Sequence, residues 1–182
     1  MALMLIPADP KLQEMALEVM RKVRRQTYTP ERLCELQKIV ETKYLYWWSN
    51  DMKKEEFNCE LMTDEIEFYS FGSEVHRPNK EQARVAKWCN APMETMHMGH
   101  QPLVWFMDDT HARGLFQYED HMTYREDQET VNGWMFYLDD FVKCDDGVWR
   151  ISALRMSYKK MNGMYRNPNP PDDWMPEEWD TM

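Results

Sequence analysis

Apolar positions recur every three or four residues along the first third of the chain, as they do in amphipathic helices. This spacing predicts one helix over 11–25. A second helix is predicted to begin at Pro30, with Thr29 as its N-cap, and to end near Asn50. A short third helix is expected over 52–62.

The pattern then changes to the alternation of apolar and polar residues that is typical of strands. Residues 65–71 alternate up to a turn at Gly72, and a helix follows over 79–90. The rest of the chain is predicted to be β structure as far as Lys159, with strands over 94–100, 103–107, 111–125, 131–144 and 148–159. Helices followed by long antiparallel strands predict an α+β fold, in which a curved antiparallel or mixed sheet and the helices on one of its faces form a cone with an apolar interior.

The chain is expected to form a single domain with an extension at each end. Residues 1–28 are interpreted as an N-terminal helical extension and 29–166 as the α+β domain. The Pro-rich tail, 167–182, cannot continue either pattern. We expect it to wrap its own domain or a neighbouring subunit through Trp174 and Trp179.

Composition limits the classes of partner. The 182 residues include 22 Lys+Arg and 32 Asp+Glu, a net charge of −10, so the basic face that phosphate binding requires is not expected and nucleic acid is excluded. The apolar run at 1–6 is too short for a signal peptide or a membrane span, which argues against a membrane partner. Four widely spaced cysteines indicate buried thiols, in place of disulfides or a zinc site, and a cytoplasmic protein. The 17 methionines and 8 tryptophans indicate either an irregularly filled core or a cavity for a bulky apolar ligand.

Alternation over 111–124 places one carboxylate on the apolar face of a strand. The even positions of this segment are mostly apolar and include Phe116 and Tyr118, but they also include Asp120. A buried carboxylate requires a cation or a hydrogen-bond donor. Asp120 is therefore either a site residue or a structural residue at a strand end. Alternation over 148–157 brings Arg155 towards the interior, where it either binds an anion or pairs with a carboxylate, unless it extends from the sheet rim.

The segment Met96–Pro102 contains two histidines, His97 and His100. Residues three apart on a strand point to opposite faces, and no third ligand has suitable spacing, so a shared metal ion is not expected. His97 is either a core residue or an acid–base group whose imidazole Asp120 orients. On the second helix, Tyr44, Trp48 and Asp51 share one face. Tyr44 could there bind a carbonyl and Asp51 could exchange protons, although the aromatic cluster is equally typical of a core.

These residues together resemble a known family. The helix with Lys43-Tyr44, the segment Met96–Pro102, Ala112-Arg113-Gly114 and Tyr118-Glu119-Asp120 resemble the SnoaL-like branch of the nuclear-transport-factor-2-like superfamily, and within it the bacterial bile acid 7α-dehydratases. The segment from Gly133 to Ile151 is shared more widely by SnoaL-like proteins.

The resemblance implies a cone-shaped fold with a hydrophobic pocket, no cofactor, and a homo-oligomer, either a trimer or a dimer. It matches the family's pocket residues to Tyr44, His97 and Asp120. The family has a further aspartate five residues after the tyrosine. That position is Ser49 here, so either Asp51 replaces the aspartate or the acid is absent. The family's pocket arginine falls on Tyr158, three residues after Arg155.

The leading hypothesis is a cofactor-independent dehydratase that removes water from a bulky polycyclic or steroid-like hydroxy-ketone. The alternatives are an isomerase, a polyketide cyclase, or a non-catalytic binding or assembly module on the same fold. The candidate catalytic residues are Tyr44, Asp51, His97 and Asp120. The candidate substrate-binding residues are Trp48, Phe68, His100, Trp105, Phe116, Tyr118 and Arg155.

Overall fold

The computed structural model describes residues 3–163, 165–166, 170–171 and 174. The helices are α1 (Pro10–Val23), α2 (Pro30–Asp51), α3 (Asn58–Leu61, preceded by a 3₁₀ turn over Glu55–Phe57) and α4 (Asn79–Asn90). The strands are β1 (Met4–Leu5), β2 (Met62–Ser70), β3 (Ser73–Pro78), β4 (Met93–Phe106), β5 (His111–Tyr124), β6 (Thr130–Lys143) and β7 (Trp149–Met161). The predicted N-cap of α2 is confirmed, because the Thr29 hydroxyl accepts a hydrogen bond from the Arg32 N–H.

The strands form one mixed sheet in the order β3-β2-β7-β6-β5-β4, and β1 pairs with the end of β7. The pairing of β2 with β7 is parallel, and the other pairings are antiparallel. The sheet is curved and does not close, and the helices pack on it, so the predicted α+β class is confirmed. The curvature leaves a concave inner face that α2 and α4 cover.

The core has two parts, one on each face of the sheet. On the inner face, Ile39, Val40 and Trp47 of α2 pack against the alternating apolar residues of β5 and β6. On the outer face, Leu12, Ala16 and Val19 of α1 pack against apolar residues of the sheet that point outward, which include Phe136 and Leu138. The expectation that the helices share one face therefore holds for α2 and α4, whereas α1 lies on the opposite face.

Several element boundaries differ from the sequence prediction. The helix expected over 52–62 is only the short turn and α3, because Lys53 adopts a positive φ and ends the helical path. β3 was not predicted, since its outward residues are polar and only Val75 and Arg77 turn inward. Phe71 and Gly72, both with positive φ, form the tight turn that joins β2 to β3.

One-residue irregularities reverse the alternation within two long strands, β4 and β7. In β4 the register shifts between His100 and Leu103, where Gln101 has a φ of 50°. In the pairing of β6 with β7 the register shifts at Asp140/Phe141 and again at Trp134/Met135. Because side chains alternate with a period of two, each extra residue moves every later side chain of the strand to the other face.

The tail returns to its own domain where it is described. The Trp174 ring lies 4.9 Å from the ring of Trp88 on α4, and the Arg84 guanidinium donates to the Trp174 carbonyl. Trp179, the other predicted contact, lies outside the described residues. In the part of the chain that the structure describes, no helix combines the length and the apolarity needed to cross a membrane.

Gly99 allows α2 to approach β4 closely. The Trp47 ring lies directly over Gly99, and a Cβ atom there would stand 1.8 Å from the nearest ring carbon. Trp47 also stacks on Tyr118 at 5.2 Å and meets Phe116 edge-on at 5.8 Å. The ring thus locks the last turns of α2 onto the strands that carry the motif histidines.

We expect Gly99→Ala to lower the free energy of unfolding by about 1–3 kcal/mol, the usual result of overpacking a core. The Cβ cannot be accommodated unless Trp47 moves, and Trp47 is buried against two other rings. Denaturant unfolding measures the effect. Gly147→Ala serves as a comparison in open space, where only the positive φ opposes the substitution. An unchanged stability for Gly99→Ala would contradict the packing described here.

Candidate active site

A cavity of about 420 Å³ lies between the inner face of the sheet, the end of α2 and α4. Its volume is in the range of small-molecule sites. The walls are mainly apolar or aromatic and carry a few polar groups. The lining residues include Tyr46, Phe68, Arg77, Gln82, His97, Tyr118, Asp120, Tyr137, Met156, Tyr158 and Tyr165.

His97 and Asp51 form a hydrogen-bonded pair at the wall of the cavity. The distance from His97 Nδ1 to Asp51 Oδ1 is 2.5 Å, and the backbone N–H of His97 donates to Asp51 Oδ2 at 2.9 Å. The imidazole also stacks on Tyr118 at 5.7 Å. With Nδ1 bound to the carboxylate, Nε2 is the nitrogen available to a substrate. This is the arrangement of a base that a carboxylate orients.

Asp51 is held in place by the end of α2. It is the last residue of the helix, one turn beyond the Trp47–Gly99 contact. Burial raises the pKa of Asp51, but the hydrogen bonds from His97 outweigh this effect, so the pKa is lowered. Ser49, at the position of the family's aspartate, donates instead to the Asn58 side chain at 2.5 Å and is buried in a polar cluster with Asn50. Asp51 is therefore the carboxylate that the helix supplies.

Asp120 lies directly opposite His97 in the pairing of β4 with β5. It is 1% exposed, as the alternation predicted, and the Tyr165 hydroxyl donates to its Oδ2 at 2.8 Å. Its Oδ1 is buried without a hydrogen-bond partner. Burial raises the pKa of Asp120 despite the lowering effect of the Tyr165 hydroxyl. A carboxyl group in this setting is poised to hold a proton.

The structure brings four of the predicted site residues to the cavity wall, namely Phe68, His97, Tyr118 and Asp120. Asp51 stands behind His97. The orienting role that the sequence assigned to Asp120 belongs to Asp51, because Asp51 occupies the Nδ1 side of the ring. Asp120 remains the second carboxyl group, on the neighbouring strand.

Four predicted residues lie away from the cavity. Tyr44 is half-buried and stacks on Trp47 at 5.8 Å. Trp48 is 64% exposed, because it points outward from α2. His100 is exposed and bonds Glu119 at 3.1 Å on the opposite strand face from His97. Phe116 is fully buried in the core beneath Trp47.

The register shifts in β4 and β7 explain why two further residues, Trp105 and Arg155, lie away from the cavity. Trp105 lies after the β4 irregularity, so it packs in the outer cluster beside α1 instead of lining the cavity. Arg155 lies after the β7 irregularity, so Met156 and Tyr158 face the cavity instead. Arg155 forms ion pairs on the other face with Glu67 at 2.6 Å and Asp140 at 2.9 Å.

Sequence reasoning missed Tyr46, Tyr158, Tyr165 and Arg77, all of which line the cavity. A signal existed for Tyr46, because it precedes Asp51 by five residues, the spacing of tyrosine and aspartate in the resembled family. Matching that family on Asp51 would have selected Tyr46 in place of Tyr44. Burial raises the pKa of Tyr46 and keeps it a neutral hydrogen-bond donor.

One group of possible metal ligands occurs among the residues that the structure describes. Glu67, Glu74 and His76 place donor atoms within 4.8 Å of one another. None of the three lines the cavity, and Glu67 is bound to Arg155. The arrangement around His97 therefore offers proton transfer and hydrogen bonding as its chemistry.

We expect Asp120→Asn to gain stability over the wild type as the pH rises, by on the order of 1 kcal/mol, because the amide never carries the poorly solvated charge that the buried carboxyl group acquires when it loses its proton. The pKa of Asp120 is higher in the folded protein than in the unfolded chain. Such a carboxyl group stabilises the folded state at pH values below its unfolded-state pKa, and this stabilisation is lost as the pH rises through the folded-state pKa. The advantage of the variant should therefore grow from pH 4 to pH 7. Denaturant unfolding across this range tests the sign, and a constant difference would contradict it.

Residues 31–155 match the model of the SnoaL-like domain, and the chain belongs to this family. Similar solved structures include a candidate scytalone dehydratase from Novosphingobium aromaticivorans, with 16% identity and a TM-score of 0.67, which covers 79% of this chain and 97% of that one.

Two further structures show the same fold. A type 2 hexachlorocyclohexane dehydrochlorinase (LinA) has 17% identity and a TM-score of 0.65, and covers 79% of this chain and 97% of that one. Protein Kfla4162 from Kribbella flavida has 16% identity and a TM-score of 0.62, with 67% and 88% covered. At these identities the likeness concerns the fold.

Proposed function

We propose that the protein is a dehydratase that removes water from a bulky, mainly apolar hydroxy-ketone by acid–base catalysis. The observation that carries the proposal is the placement of two distinct carboxyl groups around His97. Asp51 is hydrogen-bonded to the imidazole, while Asp120 is buried across the strand pair with a raised pKa. Groups whose environments separate their pKa values in this way are suited to opposite proton-transfer roles.

In the proposed reaction, Nε2 of His97 takes a proton from a carbon activated by the ketone, and Asp51 stabilises the resulting imidazolium. The Tyr46 hydroxyl is the candidate donor to the enolate oxygen. The C–O bond then breaks as Asp120 gives its proton to the leaving hydroxyl, so that water departs and a conjugated double bond forms. The proton on His97 returns to Asp120, which restores both groups.

The buried acid favours water as the leaving group. Hydroxide leaves poorly unless it is protonated, whereas a halide leaves as a stable anion without a proton. A site for halide elimination would therefore need only the base, His97 with Asp51. The additional carboxyl group, Asp120, lines the same cavity and has a pKa that burial raises, which supports loss of a hydroxyl.

The cavity supports a polycyclic substrate. Its volume of about 420 Å³ and its mainly apolar and aromatic lining, which includes Phe68 and Met156, suit a rigid ring system. The resemblance to bile acid 7α-dehydratases makes a steroid-like hydroxy-ketone the first candidate. A rigid substrate also loses little entropy on binding.

The test uses 3-oxo-Δ4 steroids that carry a hydroxyl on the carbon next to the activated position, and hydroxylated aromatic polyketides. Turnover should extend the conjugated system and give a new ultraviolet absorption band, and mass spectrometry should show the loss of one water. A product of unchanged mass would indicate an isomerase or cyclase. Binding without any product would indicate a non-catalytic module, and both results would overturn the dehydratase proposal.

We also propose a cytoplasmic homo-oligomer, a trimer or a dimer. Leu45, Trp48 and Met52 form an exposed apolar row along α2, and Met96 on β4 is exposed as well. Apolar rows of this kind are typical of association surfaces. Light scattering should give a mass that is a multiple of 22.1 kDa, and a monomer at micromolar concentration would contradict the assembly.

A further inference from the structure

We propose that Arg77, together with Gln82 of the same cavity, binds a carboxylate carried by the substrate. This inference deepens the proposed function, because it assigns an anionic anchor to the ligand on which His97 acts. Arg77 lies on β3 and Gln82 on the first turns of α4, and both line the same cavity as His97.

The position of Arg77 follows from the alternation of β3. Val75 and Arg77 are the partly buried residues of the strand, while His76 and Pro78 between and after them are exposed. The strand pairs with β2, whose inward residues Ile66 and Phe68 are apolar. A guanidinium is therefore directed into a mainly apolar space, where it is poorly solvated.

Arg77 differs from the other cavity-side and sheet arginines in having no carboxylate. Arg113 bonds Asp140 through two nitrogens, Arg155 bonds Glu67 in the same way, and Arg150 bonds Asp146. Among the described residues Arg77 forms no ion pair, and its buried Nε has no hydrogen-bond partner. In a chain with a net charge of −10, an arginine that lines a cavity without a carboxylate partner among the described residues is suited to bind an anionic group of a ligand.

Gln82 supplies a second unsatisfied group at the same end. It is 3% exposed, and its buried Oε1 has no hydrogen-bond partner. Half a turn of the amide presents the NH₂ group to an anion instead. A guanidinium on a strand and an amide on a helix, both lining one cavity, can together supply the hydrogen-bond donors that the two oxygens of a carboxylate accept.

The anchor and the reacting groups lie on different strands. Arg77 is on one outer strand of the sheet path and His97 on the other, and the curvature of the sheet brings both to one cavity. The carboxylate and the hydroxyl that leaves are therefore expected on different parts of the substrate. Binding energy gained at this remote group can fix the ring system for proton transfer.

The test compares 1-pyrenebutyrate, a polycyclic carboxylate, with its methyl ester by fluorescence titration. The wild type should bind the acid about 10- to 100-fold more tightly, the usual effect of a hydrogen bond to a charged group. Arg77→Gln should remove this preference and Arg77→Lys should keep part of it. Arg21→Gln, an exposed arginine on α1, is the matched control and should leave the preference unchanged.

Three results would each overturn the anchor. They are equal affinity of the wild type for acid and ester, a preference for the acid that survives in Arg77→Gln, and no binding of either probe. Circular dichroism establishes that the variants are folded. His97→Ala should keep the preference for the acid, because His97 lies on another strand and is not part of the anchor. A preference that depends on Arg77, without turnover of any hydroxy-ketone, would support the anchor and reject the dehydratase. Turnover of a hydroxy-ketone by a protein that shows no acid preference would support the dehydratase and reject the anchor.

Discussion

Replacing His97 with alanine should lower kcat/KM by about 10²–10⁴-fold, the contribution typical of a general acid–base group. Among the residues that the structure describes, His97 is the only cavity-lining group with a basic nitrogen facing the cavity and a carboxylate hydrogen-bonded to its other nitrogen. The loss should appear mainly in kcat, because the apolar walls that bind the rings remain. Initial rates of formation of the conjugated product measure it.

His100→Ala is the matched control, since it removes the second histidine of the same motif. His100 is exposed and bonds Glu119, so its loss should leave the rate within a factor of a few. Asp51→Asn should also reduce kcat, because an amide cannot stabilise the charge that His97 acquires. A near-wild-type rate for His97→Ala with a folded protein would reject the proposed base.

The largest expected change in stability belongs to Lys43. Lys43→Met should lower the free energy of unfolding by about 3–5 kcal/mol, the effect of leaving one member of a buried ion pair alone. Lys43 Nζ is 2.7 Å from Asp139 Oδ2, and both side chains are 0% exposed. The ammonium also lies 3.5 Å from the centre of the Tyr137 ring. Removing it leaves a fully buried carboxylate among aromatic rings.

The double variant Lys43→Met with Asp139→Leu should recover most of that loss, because apolar pairs often replace buried ion pairs without a penalty. Lys11→Met is the surface control. Lys11 pairs with Glu74 in solvent, so its replacement should change stability by at most about 1 kcal/mol. Urea unfolding gives all four values. Equal losses for Lys43→Met and Lys11→Met would show that the buried pair is not essential to folding.

The sequence predicted the fold class and much of the site, because both depend on local periodicity. Strict alternation in β5 holds from end to end, so the burial of Asp120 could be predicted without a structure. Trp105 and Arg155 were misplaced for one shared reason. A one-residue irregularity reverses the face of a strand, and no local pattern indicated either irregularity.

The partner of His97 could not be chosen from spacing alone. Asp51 and Asp120 both reach the neighbourhood of the ring, one along a helix and the other across a strand pair. Their roles depend on which side of the imidazole each meets, and that is a property of three-dimensional packing. Tyr165 and Arg77 were missed because their roles depend on contacts between elements that are distant in the sequence.

The boundary of the family match divides the candidate site along the chain. The SnoaL-like match ends at residue 155, yet Tyr165, which donates to Asp120, comes after it, and so does Tyr158, whose hydroxyl lies 3.3 Å from that of Tyr165. The proposed base, His97 with Asp51, therefore lies within the matched domain, whereas the surroundings of the proposed acid are completed by a segment outside it. A protein shortened after Gly163 would keep His97 and Asp51 but lose the Tyr165 donor to Asp120, so a change in that segment would alter the proposed acid and leave the proposed base in place.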